Sequence, residues 1–142
     1  MTIGSKNFDD ISESDLMELV VSGVPEGVMI DYKQEIYGGS DRDIKEFLKD
    51  VSSFGNSSGG HLVIGIKEDG GVPVELTPLL GVDPDRELQR MESLVQSGIE
   101  PRIVGLRLKA VPISAGGCVF VIRVPKSWNP PHRVNAKGTN RF

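Results

Sequence analysis

Residues 53–70 read SFGNSSGGHLVIGIKEDG, and this stretch decides how we interpret the fold. It contains the end of an apolar helical stripe, a turn of small residues, an apolar strand from His61 to Ile66 and an acidic turn at residues 68–71. An asparagine between small residues at a helix end favours a tight turn. We therefore expect Asn56 to adopt a left-handed conformation and to hold the turn with its amide. The stretch lacks a Gly-x-x-x-x-Gly-Lys-Ser/Thr motif, which argues against P-loop nucleotide binding here.

Three amphipathic helices are predicted around this stretch from their capping residues and apolar spacing. Ser12 caps the first helix, which ends near Gly23. Ser40 caps the second helix, and Asp83 caps the third, which ends near Gly98. The second helix has a regular apolar stripe, which consists of Ile44, Phe47, Leu48, Val51 and Phe54.

Apolar alternation predicts strands at residues 28–33, 61–66, 103–111 and 118–124. This order of elements predicts an α+β fold with a mixed, largely antiparallel sheet and about three flanking helices. The length suits a single domain over residues 1–142. We expect this domain to be excised from a longer protein and residues 1–11 to be flexible. The one cysteine, Cys118, allows no internal disulfide. This favours a cytoplasmic location, and we assign Cys118 to the core.

The formal net charge of −4 hides a strong asymmetry along the chain. Residues 1–100 contain all 20 acidic residues, whereas residues 101–142 contain 8 basic residues and no acidic one. The basic third either pairs with the acidic part inside the fold or contacts the phosphates of nucleic acid. Alternation along the strands predicts that Arg107, Lys109 and Arg123 lie on one side of the sheet. The nucleic-acid-binding candidates are Arg107, Lys109, Arg123, Lys126, Arg133, Lys137 and Arg141, with Lys33 as a supplement.

The order of these motifs resembles the Schlafen/AlbA-type DNA-binding domain family over about residues 13–142. The segments that carry the resemblance are Asp31-Tyr32-Lys33, Phe54-Gly55-Asn56-Ser57-Ser58-Gly59-Gly60, Leu62-Val63-Ile64-Gly65-Ile66, Glu68-Asp69-Gly70, Ile99-Glu100-Pro101, Arg123-Val124-Pro125 and Asn140-Arg141-Phe142. Gly55 stands where Ala is usual, Asp31 stands where Glu is commoner, and the last strand stops after Phe142. The resemblance implies a DNA- or RNA-binding domain of a bacterial transcription regulator, with no cofactor.

A second interpretation also comes from the resemblance, because the similar fold of Schlafen relatives forms part of a metal-dependent nuclease for structured RNA. The candidate carboxylates are Glu26, Asp31 and Asp69, which would hold Mg²⁺ or Mn²⁺. Lys33 would stabilise the developing charge. In the alternative view Asp31 and Lys33 form an ion pair on a half-exposed strand, and Asp69 belongs only to a turn. A third interpretation is a dimeric interaction or sensor domain that regulates an appended domain.

Three further residues have no clear partner in the sequence. His61 and His132 are isolated histidines without the spacing of a zinc site. Trp128, beside Pro130 and Pro131, is either a packing anchor or a surface for base stacking. No apolar run approaches the ~20 residues of a membrane helix, so no membrane partner is expected.

Overall fold

The order of helices and strands follows the predicted caps and apolar stripes. The computed structural model describes residues 3–135. Helices α1, α2 and α3 comprise Glu13–Val21, Asp41–Gly55 and Pro84–Gly98. Two single-turn 3₁₀ helices precede α1, at Ile3–Ser5 and Phe8–Asp10. Strands β1 to β8 comprise Ile30–Lys33, Gly60–Ile64, Ile66–Asp69, Val72–Leu76, Ile99–Glu100, Arg107–Pro112, Cys118–Val124 and Arg133–Val134.

The predicted caps satisfy the free N–H groups at the helix starts. At α1 the Asp15 carboxylate accepts the backbone N–H of Ser12 at 2.8 Å. At α2 the Ser40 hydroxyl accepts the N–H three residues later at 3.1 Å. Asp83 accepts two N–H groups of the first turn of α3, where Pro84 has no N–H to satisfy.

The main sheet has four strands in the order β1-β2-β7-β6. Strands β1 and β2 are parallel and are joined by α2, since parallel neighbours require a crossover connection. The other two pairings are antiparallel, with Leu62 opposite Ile122 and Ala110 opposite Phe120. Two smaller antiparallel pairs, β3-β4 and β5-β8, complete the strands of residues 3–135. The predicted α+β class with a mixed, largely antiparallel sheet and three helices is confirmed.

Both faces of the main sheet are covered, which explains why every residue of β2 is buried. Helices α2 and α3 cover one face, whose core includes Phe47, Leu48, Met91, Phe120 and Ile122. Helix α1 and the 3₁₀ segments cover the other face, whose core includes Phe8, Leu16, Leu19, Val63 and Val121. Cys118 is buried in the first of these clusters, in the core position assigned to it. Within residues 3–135 no helix is both long enough and apolar enough to cross a bilayer.

The strand predicted at residues 61–66 is divided into β2 and β3. Gly65 interrupts it with φ of +120°, and a Cβ at this position would lie 3.0 Å from Val119 Cγ2. Strand β3 then forms a hairpin with β4, closed by Gly70 and Gly71 with φ of +61° and +86°. The sequence interpretation treated residues 68–71 only as a turn and missed β4, because Pro73 and Glu75 weaken its strand pattern.

Other expected boundaries also shift. Strand β1 starts at Ile30, two residues later than predicted, and β6 starts at Arg107 because Gly105, with φ of +89°, breaks the extended chain before it. The expectation for Asn56 was wrong: it has φ of −82°, and no residue other than glycine has positive φ within 3–135. Gly59, with φ of +82°, provides the left-handed position of this turn. Residues 3–11, expected to be flexible, pack against the sheet.

Candidate nucleic-acid interface

The segment that follows β7 is tied to the end of α2 by Asn56. Its amide Nδ2 donates to the His132 carbonyl oxygen at 3.1 Å, and its Oδ1 accepts the His132 N–H at 2.7 Å. The Gly55 carbonyl also accepts the N–H of Ser127 at 3.3 Å. The Asn56 amide was predicted to hold its own turn, but in the structure it holds a segment that lies 76 residues away along the chain.

The buried imidazole of His132 joins two further parts of this segment. Its Nδ1 lies 2.6 Å from the Pro101 carbonyl oxygen, and its Nε2 lies 2.5 Å from the Ser127 hydroxyl. A carbonyl oxygen can only accept, so the hydrogen bonds assign a proton to Nδ1. Nε2 forms the second bond, with the Ser127 hydroxyl. His132 thus links residue 101 to the chain on either side of Trp128, a role that its isolated position in the sequence does not reveal.

Trp128 projects into solvent from this braced segment. Its side chain is 90% exposed, and the Lys126 Nζ lies 5.7 Å from the centroid of its ring. Lys126 and two neighbours of the bracing residues, Arg102 and Arg133, are also exposed. None of these three cations forms an ion pair within residues 3–135. We call Arg102, Lys126, Trp128 and Arg133 the Trp128 surface; Arg102 was missed in the sequence interpretation, although it stands in the same acid-free third.

The three cations predicted to share a sheet face do share it, but the N-terminal segment lies over them. Their charged groups surround the Phe8 ring at 5.0 Å for Arg107, 5.6 Å for Lys109 and 5.3 Å for Arg123. Lys109 Nζ donates to the carbonyl oxygens of Phe8, Asp9 and Ile11 at 3.2, 3.1 and 2.9 Å. Arg107 remains half-exposed and pairs with Asp9 at 2.7 Å.

Arg123 is used in the same way. Its Nη2 donates to the carbonyl oxygens of Ile3 and Lys6 at 3.0 and 2.7 Å, and its Nε donates to His61 Nε2 at 2.8 Å. Burial and the neighbouring Arg123 charge lower the pKa of His61 to about 4, so the ring accepts this bond in its neutral form. Of the predicted phosphate contacts, Lys126 and Arg133 are exposed and form no ion pair among residues 3–135, and Lys137 and Arg141 lie outside the described residues.

The predicted carboxylates come together in part. Glu26 Oε2 accepts the backbone N–H of Tyr32 at 2.9 Å, next to the Asp31 side chain. Burial raises the pKa of Asp31 to about 6, and a hydrogen bond with Glu26 acts in the same direction. The Glu26 N–H donates to the Gly71 carbonyl at 2.7 Å, which brings the β3-β4 turn close. No hydrogen bond or ion pair joins Asp69 to Glu26 or Asp31 in the described part of the chain.

Lys33 lies among three carboxylates. Its Nζ is 3.7 Å from Asp31 Oδ2, 3.8 Å from Glu46 Oε2 and 3.7 Å from Asp50 Oδ2. Burial lowers the pKa of Lys33, but the carboxylates outweigh this effect and the pKa is raised overall. The Tyr37 hydroxyl donates to Asp50 at 2.6 Å and completes the group. The sequence interpretation missed the two acidic residues of α2, although their spacing of one helical turn is a signal that they share a face.

These residues do not fit a bound metal ion. Across residues 3–135 no three or more His, Cys, Asp or Glu side chains are arranged to hold a cation. Lys33 occupies the place between the carboxylates of β1 and α2, where its charge offsets part of theirs. The group is therefore an ion-pair network that fixes β1 against α2 in this structure.

Comparison with known proteins agrees with this architecture. The fold is similar to the N-terminal domain of a RecG-related protein from Nitrosomonas europaea, with a TM-score of 0.64 and 22% identity over 93% of this chain and 86% of that one. It is also similar to the DIP2311 protein of Corynebacterium diphtheriae, with a TM-score of 0.52 and 17% identity over 82% of this chain and 25% of that one. A comparison with curated proteins finds no match. The family model described as Schlafen, AlbA_2 matches residues 26–141, so the chain belongs to this nucleic-acid-associated family, as its motifs predicted.

Proposed function

We propose that this domain binds single-stranded DNA or RNA through the Trp128 surface. The observation that carries the proposal is a tryptophan that is 90% exposed beside a lysine with no carboxylate partner among residues 3–135. An exposed aromatic ring offers a base a stacking partner, and adjacent cations attract phosphates. Stacking is available only to bases that are not already paired and stacked, which favours single strands over duplex.

The contacts to phosphate determine how binding depends on salt. For single strands each neutralised phosphate contributes about 0.7 to the slope of log affinity against log salt concentration. Arg102, Lys126 and Arg133 together lead us to expect a slope of about 2. Such contacts carry little sequence information, so binding is weakly sequence-specific. The net charge of −4 opposes binding at long range, which keeps the affinity modest.

Hydrogen bonds hold the segment that carries Trp128 at both of its ends. At one end Ser127 donates to the Gly55 carbonyl of α2, and at the other end His132 bonds to Asn56 and to Pro101. A surface held in place in this way loses little conformational entropy on binding. The small-residue turn of the family motif thus supports the Trp128 surface from behind.

The test is a titration of labelled single-stranded DNA, single-stranded RNA and duplex DNA at about 50 and about 200 mM salt. Trp128→Ala is expected to weaken single-strand binding by about tenfold, because base stacking is worth about 1–3 kcal/mol. Lys126→Ala is expected to lower the salt slope by about 0.7. The matched control is Lys67→Ala, which removes an exposed cation from the β3-β4 hairpin. No binding at low salt, or equal losses for Lys126→Ala and Lys67→Ala, would refute the proposal.

A nuclease remains the second candidate, and one observation favours it. The pKa of Asp31 is raised to about 6 by burial and by Glu26, and perturbed carboxyl groups cluster at catalytic sites. The described side chains do not assemble a metal site, so we derive no cleavage step from Glu26, Asp31, Lys33 and Asp69. A cleavage assay on structured RNA with Mg²⁺ or Mn²⁺ decides the question. Cleavage that Asp31→Asn abolishes would favour the enzyme, and intact RNA would exclude it.

The biological setting is a finer proposal that rests on the family. A domain with weak, phosphate-directed binding is suited to a bacterial transcription regulator in which another domain supplies specificity. The related possibility of a dimeric sensor domain is tested by light scattering. A monomer that binds single strands would favour the nucleic-acid module over the dimeric sensor.

A further inference from the structure

A cavity of about 390 Å³ opens beside the Trp128 surface. It lies between the small-residue turn, the loop before β1 and the N-terminal segment, and Lys126 stands at its rim. Its volume falls in the range of about 300–1,000 Å³ that is usual for small-ligand clefts. We call it the Met29 pocket and define it by Met29, Ile30, Gly59, His61, Arg123 and Lys126.

The lining of the pocket combines an apolar body with a few polar groups. Leu19, Val24, Met29 and Ile30 provide the apolar part. A side chain cannot fill the pocket from Gly59, because a Cβ there would lie 2.7 Å from the Lys126 backbone nitrogen. Gly59 therefore lets the turn pack closely against the backbone of residues 124–126 at the edge of the pocket.

The polar part of the lining offers hydrogen-bond donors. His61 Nε2 accepts from Arg123 Nε, so the proton of the neutral ring is on Nδ1, by the same hydrogen-bond reasoning as for His132. Within residues 3–135 this Nδ1 has no hydrogen-bond partner, and Arg123 Nη1 also has none. His61 lines the pocket, so its Nδ1–H is a donor available to a ligand that brings an acceptor.

We propose that the Met29 pocket receives one unstacked nucleobase of the strand that lies on the Trp128 surface. The flat body of a base fits the apolar lining, and its ring nitrogens or carbonyl oxygens accept from His61 and Arg123. Lys126 joins the two sites, since it lines the pocket and also lies 5.7 Å from the Trp128 ring, where it meets the intervening phosphate. An aliphatic chain would leave the donors unpaired, and a bare anion would leave the apolar lining unused.

This inference rests on the proposed function and deepens it, and the experiment separates the two. The chain has two histidines, His61 and His132, so their ring resonances in a proton NMR spectrum are few and assignable. Millimolar adenosine or uridine is expected to shift the resonances of His61 and to leave those of His132 unchanged. His132 is the internal control because it is buried in the bracing network outside the pocket lining.

The matched variants are Met29→Glu and Val28→Glu. Both positions are exposed, at 53% and 75%, and both variants add one negative charge in the same loop, but only Met29 lines the pocket. Met29→Glu is expected to abolish the nucleoside shift and to weaken oligonucleotide binding about tenfold more than Val28→Glu. Circular dichroism checks that both variants remain folded.

Each outcome has a defined meaning. Equal effects of the two glutamate variants, or no His61 shift at millimolar nucleoside, would overturn the pocket inference. If Trp128→Ala still weakened oligonucleotide binding in that case, the proposed function would stand without the pocket. A nucleoside shift in a protein that binds no oligonucleotide would support the pocket and refute the proposed function.

Discussion

Removing the two hydrogen bonds between Asn56 and His132 is expected to lower the free energy of unfolding by an amount that the structure lets us work out. Asn56→Ala deletes two hydrogen bonds, of 3.1 and 2.7 Å, and leaves the N–H and the carbonyl oxygen of His132 without these partners. A typical hydrogen bond contributes about 1 kcal/mol net, which gives about 2 kcal/mol for the pair. Asn56 is itself exposed, so water replaces part of the loss and the cost does not reach that of fully buried groups.

The measurement is urea unfolding followed by circular dichroism. We expect a decrease of about 2 kcal/mol in the free energy of unfolding and a fall of about 6 °C in Tm. The control is Asn129→Ala, because Asn129 is an exposed asparagine of the same segment with no side-chain hydrogen bond among residues 3–135. A loss below about 0.5 kcal/mol, or one that Asn129→Ala reproduces, would refute the view that Asn56 holds the segment.

Three other variants test separate features of the structure. Asp31→Asn is expected to stabilise the protein at pH 7. The pKa of the Asp31 carboxyl is raised to about 6, so its ionised form destabilises the folded state as pH rises from about 4 to about 6. Urea unfolding at both ends of this range is expected to show that the extra stability of the variant disappears at low pH, and a pH-independent effect would contradict the reasoning. Lys109→Met removes the donor to three N-terminal carbonyl oxygens, so we expect the free energy of unfolding to fall by about 2–3 kcal/mol in the same assay, with little change for Lys67→Met. Similar losses for both variants would argue against the view that Lys109 holds the N-terminal segment on the sheet. Gly65→Ala places a Cβ 3.0 Å from the Val119 side chain at a residue with φ of +120°. We expect a thermal melt to record a destabilisation of about 1–3 kcal/mol. An unchanged Tm would indicate that the junction between β2 and β3 adapts without strain.

The candidate site was only partly predictable from the sequence. Alternation correctly placed Arg107, Lys109 and Arg123 on one side of the sheet, because side chains point to opposite faces in turn along a strand. Alternation carries no information about what lies against that face. The carbonyl oxygens that Lys109 binds belong to residues about 100 positions away along the chain. Tertiary packing therefore decided which groups these three cations contact.

The same limit explains the carboxylate group. Glu26, Asp31 and Lys33 lie close together in the sequence, and the structure brings their side chains into one network. Glu46 and Asp50 enter this network from α2, because the crossover connection places that helix beside β1. No local pattern states which strand the polar face of a helix will meet.

By itself the sequence determined the three helices, the apolar strands, the α+β class and the family, because caps, periodicity and motifs are properties of neighbouring residues. Tertiary structure alone decided which cations remain available to a ligand. It paired Lys109 and Arg123 with carbonyl oxygens of the N-terminal segment. It left Lys126 and Arg133 without an ion pair within residues 3–135. The physical reason is that the sequence gives the position of each charged residue along the chain. Whether that charge is paired depends on contacts between segments that only the folded chain brings together.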